Sequence, residues 1–66
     1  MKINKEKFKK LLYLNGLTQR GLAEKAQIPE RTIWSYAQGE KTPRANNASK
    51  IAEALNCEIK DFVDMY

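Results

Sequence analysis

Apolar residues recur along this chain at intervals of three and four, the spacing that lines one face of an α-helix. Phe8, Leu11 and Leu12, with Tyr13 beside them, form a first stripe. Leu22, Ala23 and Ala26 form a second, Ile33 and Tyr36 a third, and Ala48, Ile51, Ala52 and Leu55 a fourth. Ile59, Phe62 and Val63 make a short last group, and Ile28 alone falls out of register.

The residues between the stripes punctuate them. Asn4 is a natural N-cap for a first helix that stops at Asn15-Gly16, where glycine accepts the left-handed conformation of a helix terminus. Thr18 caps the second helix, and Leu17 and Leu22 are spaced as a hydrophobic staple. Gly21 stands where a capping box wants Glu or Gln, at a cost of roughly 1 kcal/mol of helix propensity relative to Ala. Gln27 falls at the turn after the second helix, where a positive φ costs a non-glycine residue roughly 1–2 kcal/mol. Pro29 opens the third helix without a side chain to cap it, and Gly39 ends it. Thr42 and Pro43 predict the cap and first position of a fourth helix, which runs to about Asn56, a suitable left-handed terminus. A last short helix starts near Glu58. The expectation is an all-α fold, a compact bundle of five short helices without strands, in a single domain over residues 1–66.

Small size limits what such a chain can be. A domain this short buries only about 60% of its unfolded surface, so it depends on regular packing, a staple or a partner. Cys57 is the single cysteine and there is no histidine, so neither an internal disulfide nor a zinc site is expected. Cys57 reads most simply as a small buried hydrophobe, the alternative being a partly exposed thiol. No apolar run reaches membrane-spanning length and no signal sequence is evident, so a cytoplasmic protein without membrane contact is expected. With no histidine, no defensible pair of carboxylates beside a nucleophile and no glycine-rich phosphate loop, neither an enzyme nor a cofactor is expected.

Charge is unevenly distributed. Residues 1–50 hold eleven Lys and Arg against four acids, a balance of +7, and residues 51–66 hold one Lys against four acids, a balance of −3. A basic body suits a polyanion such as DNA; the plainer alternative for the lysines of the first helix is solvated surface.

Two short helices meeting at a tight turn, over about residues 18–38, read as a helix-turn-helix, with small Ala23 where the helices approach. Its usual task is to lay the second helix in the major groove. On an ideal helix with Glu30 at zero, Trp34 falls at about 40°, Gln38 at about 80°, Arg31 at about 100° and Ser35 at about 140°, with Ile33 and Tyr36 opposite. That outward face mixes donors, acceptors and an aromatic. Arg31 suits guanine, Glu30 the amino group of cytosine, and Ser35 several bases. Glu30 has an alternative, an ion pair with Arg31 or Lys41. Trp34 has three: a DNA sugar or thymine methyl, packing within the monomer, or a partner protein.

With these residues in view, the sequence resembles the lambda-repressor-like, Cro/repressor-type helix-turn-helix family, also called the xenobiotic-response-element type. The resemblance spans about Phe8 to Val63. It rests on Gly16-Leu17-Thr18-Gln19, Leu22-Ala23-Glu24-Lys25-Ala26, Thr32-Ile33, Gly39 followed by Pro43, and Ile51-Ala52-Glu53-Ala54-Leu55-Asn56. The resemblance implies a five-helix bundle that reads double-stranded DNA. Glu30, Arg31, Trp34 and Ser35 are the expected base-reading residues. Thr18, Gln19, Thr32, Gln38, Lys41 and Arg44 are expected along the backbone. Gln27 replaces the family's usual turn glycine, Gly21 its acidic residue, and Ala45 and Ala48 larger apolar residues, leaving room for Tyr13, Trp34 or Tyr36.

Members of that family commonly act as repressors or activators on pseudo-palindromic operators, as dimers. The expected function is therefore a transcriptional regulator, most simply a repressor from a bacterium, phage or mobile element. Phe62, Val63, Met65 and Tyr66 are the expected homodimer surface, the alternative being that Phe62 and Val63 finish the monomer core. The competing function is a protein-interaction module, such as a toxin–antitoxin component that keeps the fold with little DNA affinity.

Overall fold

The structure is a computed structural model, and it describes residues 2–64. Four α-helices follow one another: α1 (Lys5–Leu14), α2 (Gln19–Ala26), α3 (Glu30–Gln38) and α4 (Ala45–Ala54). A single 3-10 turn (Ile59–Asp61) follows. Two short strands, β1 (Lys2–Ile3) and β2 (Val63–Asp64), complete the described chain.

All four α-helices stop in the same way. Gly16, Gln27, Gly39 and Asn56 carry positive φ values of 64°, 58°, 79° and 53°. At each, the amide one residue further on donates back to a carbonyl five residues earlier: Leu17 to Leu12 at 2.9 Å, Ile28 to Ala23 at 3.0 Å, Glu40 to Ser35 at 3.0 Å and Cys57 to Ala52 at 3.0 Å. These are Schellman terminations, which normally add an apolar contact across the same two residues. Leu17, Ile28 and Cys57 supply that apolar residue and pack on the core. Ile28 thus leaves the helical register because it belongs to the cap. Glu40 is the exception, and the chain beyond α3 stays exposed from Gly39 to Thr42.

The helix starts are less uniform. Asn4 accepts from the Lys7 amide at 3.1 Å and Thr18 Oγ1 from the Gly21 amide at 3.0 Å, as their sequence positions require. Pro29 and Arg44 cap α3 and α4 without a side-chain hydrogen bond. The expected cap at Thr42 with Pro43 as first helical residue is not formed. Pro43 is instead buried in the protein, and the chain stays extended through Arg44 (φ −77°, ψ 167°), so α4 begins two residues later.

The five-helix expectation is also corrected. The segment after Glu58 closes after one 3-10 turn because Glu58 and Asp61 cap each other, the Glu58 amide donating to Asp61 Oδ2 at 2.9 Å. Phe62 (φ −132°) then turns the chain into β2, which pairs antiparallel with β1, Ile3 opposite Val63 and Lys2 opposite Asp64. Asn4 reinforces this clasp: its amide donates to the Phe62 carbonyl at 2.8 Å and its Nδ2 to Asp64 Oδ2 at 3.3 Å. Period-two patterning cannot reveal strands of two residues.

The core runs through the centre of all these elements, with Phe8, Leu22, Ile33, Ile51, Leu55 and Phe62 fully buried. Phe8 and Phe62 meet with ring centroids 6.1 Å apart at 52°, an attractive tilted pair. Phe62 and Val63 therefore finish the monomer core and do not form the expected dimer surface. Met65 and Tyr66, the rest of that expectation, lie outside the described residues.

Candidate nucleic-acid interface

Helix α3 is gripped by α2 and α1, and this sets how much of its circumference remains outside. Ile33, Tyr36, Ala37 and Ser35 are buried, over half the helix perimeter. Glu30, Arg31, Trp34 and Gln38 are exposed along the remaining arc. Four of the five residues expected on that face are there.

Ser35 is the correction. It is only 8% exposed as a residue, so it offers far less surface to a base than its four neighbours on that face. Its carbonyl is occupied as well, accepting from the Glu40 amide at 3.0 Å in the termination of α3. An ideal wheel fixes the angle of a residue and not what packs beside it, so the burial of Ser35 does not follow from helical spacing.

Trp34 is 49% exposed, so its indole is not sealed inside the monomer. Of the three large aromatics for which the small residues of α4 were expected to leave room, Tyr36 is buried, Trp34 is half-exposed and Tyr13 is exposed. Among the described residues neither Glu30 nor Arg31 takes part in an ion pair, and the same is true of Lys41 and Arg44. The face is electrostatically unspent.

At the far end of α3 the exposed connection to α4 forms a shallow cleft lined by Tyr36, Lys41, Thr42, Arg44, Asn46 and Asn47. Lys41 and Arg44 thus line the same cleft. Tyr36 holds this cleft to α3, its hydroxyl accepting from Asn47 Nδ2 at 2.9 Å. No side chain caps the first amides of α4, and Lys41 and Arg44 line the cleft at that helix start, a combination that favours an anion. Asn46 and Asn47 were not singled out in the sequence; the signal available was a polar pair in the first turn of an otherwise apolar-striped helix.

Thr18 and Gln19 start α2. Thr18 is exposed with its hydroxyl occupied by the cap, and Gln19 and Thr32 are half-buried. Between α2 and the start of α3 lies a second open groove that includes Arg20, Glu24, Gln27 and Glu30. Arg20 there is held by Glu24 at 3.7 Å. Among the described residues no helix is long and apolar enough to cross a membrane.

No curated protein is similar enough to this chain to match it. Among solved structures, the chain is similar to the restriction-modification controller protein C.AhdI from Aeromonas hydrophila. The TM-score is 0.79 and the identity 23%, with 86% of each chain covered, a likeness of fold. The buried stripe of α2, the left-handed turn at Gln27 and the half-exposed α3 all lie inside residues 8–62, the stretch that matches the helix-turn-helix family of Cro/repressor type, and the chain belongs to that family.

Proposed function

We propose that this chain is a sequence-specific DNA-binding transcriptional regulator that inserts α3 into the major groove. The observation that carries this reading is the exposed arc of Glu30, Arg31, Trp34 and Gln38, free of ion pairs among the described residues, on a helix whose other side is fixed in the core. Arg31 reads guanine by a bidentate pair, and Glu30 accepts from a cytosine amino group while repelling phosphate, which lowers indiscriminate affinity. Trp34 packs on a sugar or a thymine methyl. Family membership and the C.AhdI fold support the same reading.

Backbone contacts come from both flanks. Lys41, Arg44 and the uncapped start of α4 hold phosphate on one side. Gln19, with the first turn of α2 at Thr18, holds it on the other, and Gln38 and Thr32 add hydrogen bonds along the groove edge. The protein acts as a repressor on a pseudo-palindromic site, as a homodimer whose recognition helices lie about 34 Å apart.

Selection from a random duplex library at near-physiological salt tests this reading. The expected product is a short inverted repeat with guanine opposite Arg31. Recovery of no consensus, with binding indifferent to salt, would overturn it and favour a protein-interaction module.

A further inference from the structure

The surface least explained by DNA binding lies on α1. Leu14 is 66% exposed and Tyr13 84%, two large apolar side chains with nothing of the described chain over them. Leu14 and half-buried Leu11 floor a shallow groove between α1 and the 3-10 turn, about 330 Å³ in volume, whose rim is Lys7, Lys10, Lys60 and Asp61. Tyr13 stands one step round the helix, beyond Lys10.

The charges on that rim are not all available. Lys60 Nζ is held by Glu58 at 3.1 Å and Lys7 Nζ by Asp64 at 3.8 Å. Among the described residues, Lys10 and Asp61 form no ion pair. The groove therefore presents a cation without an ion pair on its α1 side, a carboxylate on its 3-10 side that caps Glu58 through one oxygen but has no ion pair, and apolar carbon between them.

Such a pattern is self-complementary. A two-fold axis running along the groove, in the plane of contact, would bring each copy's α1 side over the other's 3-10 side, because isologous contacts pair patch i with patch j and j with i. Lys10 of each copy then meets Asp61 of the other while the leucines pack across the axis. A wholly basic rim would have pointed to an acidic partner, and a wholly apolar patch to no occupant in particular. We infer that this α1 groove is where a second copy of the chain docks, through Leu14 and reciprocal Lys10–Asp61 pairs. The inference rests on the dimeric part of the proposed function and supplies its surface in place of Phe62 and Val63. The patch is small beside the roughly 800 Å² per partner of standard interfaces, so the dimer is a weak, concentration-dependent one.

Sedimentation equilibrium of the DNA-free chain, with circular dichroism as a check on folding, tests it. The expected result is a monomer–dimer equilibrium that Leu14→Glu and Lys10→Glu each weaken at least tenfold. Asp61→Asn keeps the oxygen that caps Glu58 but removes the charge. Combined with Lys10→Glu, it is expected to recover affinity relative to Lys10→Glu alone, because the new Glu–Asp repulsion is gone. A wild-type chain that stays monomeric at several hundred micromolar overturns the inference, as does a dimer indifferent to all three variants. A monomeric Leu14→Glu chain that still prefers the selected half-site leaves the DNA reading standing. A dimer that behaves as expected but ignores DNA removes that reading alone.

Discussion

The hydroxyl of Tyr36 on α3 accepts a 2.9 Å hydrogen bond from Asn47 on α4, joining the helix proposed to enter the groove to the helix whose uncapped start lines the same cleft. The bond is part-buried, so its loss leaves Asn47 Nδ2 short of an acceptor. Tyr36→Phe keeps the ring and its packing. It is expected to cost about 1 kcal/mol in urea unfolding and to weaken specific and random duplex alike, since what loosens is the backbone-binding end.

The proposed base-reading and phosphate-holding roles can be separated at Arg31 and Lys41, both exposed and without an ion pair among the described residues. Arg31→Ala is expected to lower affinity for the selected site by about 1–3 kcal/mol and to relax choice at one position. Lys41→Ala is expected to weaken all sequences by a similar factor and to reduce the slope of log K against log salt by about 1. Titrations of specific and scrambled duplexes across a salt series measure both. Equal losses on the two duplexes for Arg31→Ala would contradict its base-reading role.

Gln27 holds a left-handed conformation (φ 58°, ψ 45°) that glycine adopts without strain. Gln27→Gly is expected to stabilise the domain by about 1 kcal/mol, the relief of strain exceeding the added freedom of the unfolded chain. Gly39→Ala runs the opposite way. An added Cβ would meet only the Lys5 side chain, at 3.6 Å from Cδ, so its expected loss of about 1–2 kcal/mol comes from the φ of 79°. Thermal melts of the two variants should move in opposite directions.

These termini also show how much of the fold was legible. Asn15-Gly16, Gln27, Gly39 and Asn56 were all readable as left-handed stops, and Asn4 and Thr18 as caps, because each depends on the chemistry of one or two neighbouring residues. What escaped depends on contacts distant in sequence. The β1–β2 clasp needs Ile3 beside Val63, Pro43 leaves its helix-opening role for a buried place, and Ser35 is buried only once the helices are packed. The candidate site divides along the same line. The arc of Glu30, Arg31, Trp34 and Gln38 follows from helical angle alone, whereas the cleft at Asn46 and Asn47 exists only once α3 and α4 are docked.

Cys57 follows the last α-helix as a half-buried residue packed on the core. Burial raises its thiol pKa, and the carboxylates of Asp61 and Glu58 raise it further. Less thiolate is present at neutral pH than on an unfolded chain, so alkylation is expected to be slower in the native protein and to accelerate as pH rises. The sign for stability follows from linkage. A thiol whose folded pKa is raised favours the fold fully below its unfolded pKa, and that contribution is lost as pH climbs through the folded value. Rates of iodoacetamide labelling in native and urea-unfolded chains check the first part.

Phe62 decides between the core and the subunit interface. Its ring is fully buried against Phe8, and its carbonyl receives the Asn4 amide. Phe62→Ala removes that ring from a domain with little stability to spare, at a typical cost of about 3–5 kcal/mol, so it is expected to unfold much of the population. Phe62→Leu is the more telling change. It keeps most of the volume and should lower stability by about 1–2 kcal/mol while leaving the monomer–dimer equilibrium of the folded chain where Leu14 and Lys10 set it. A loss of dimer without a loss of stability would return Phe62 to the interface and contradict its place in the core.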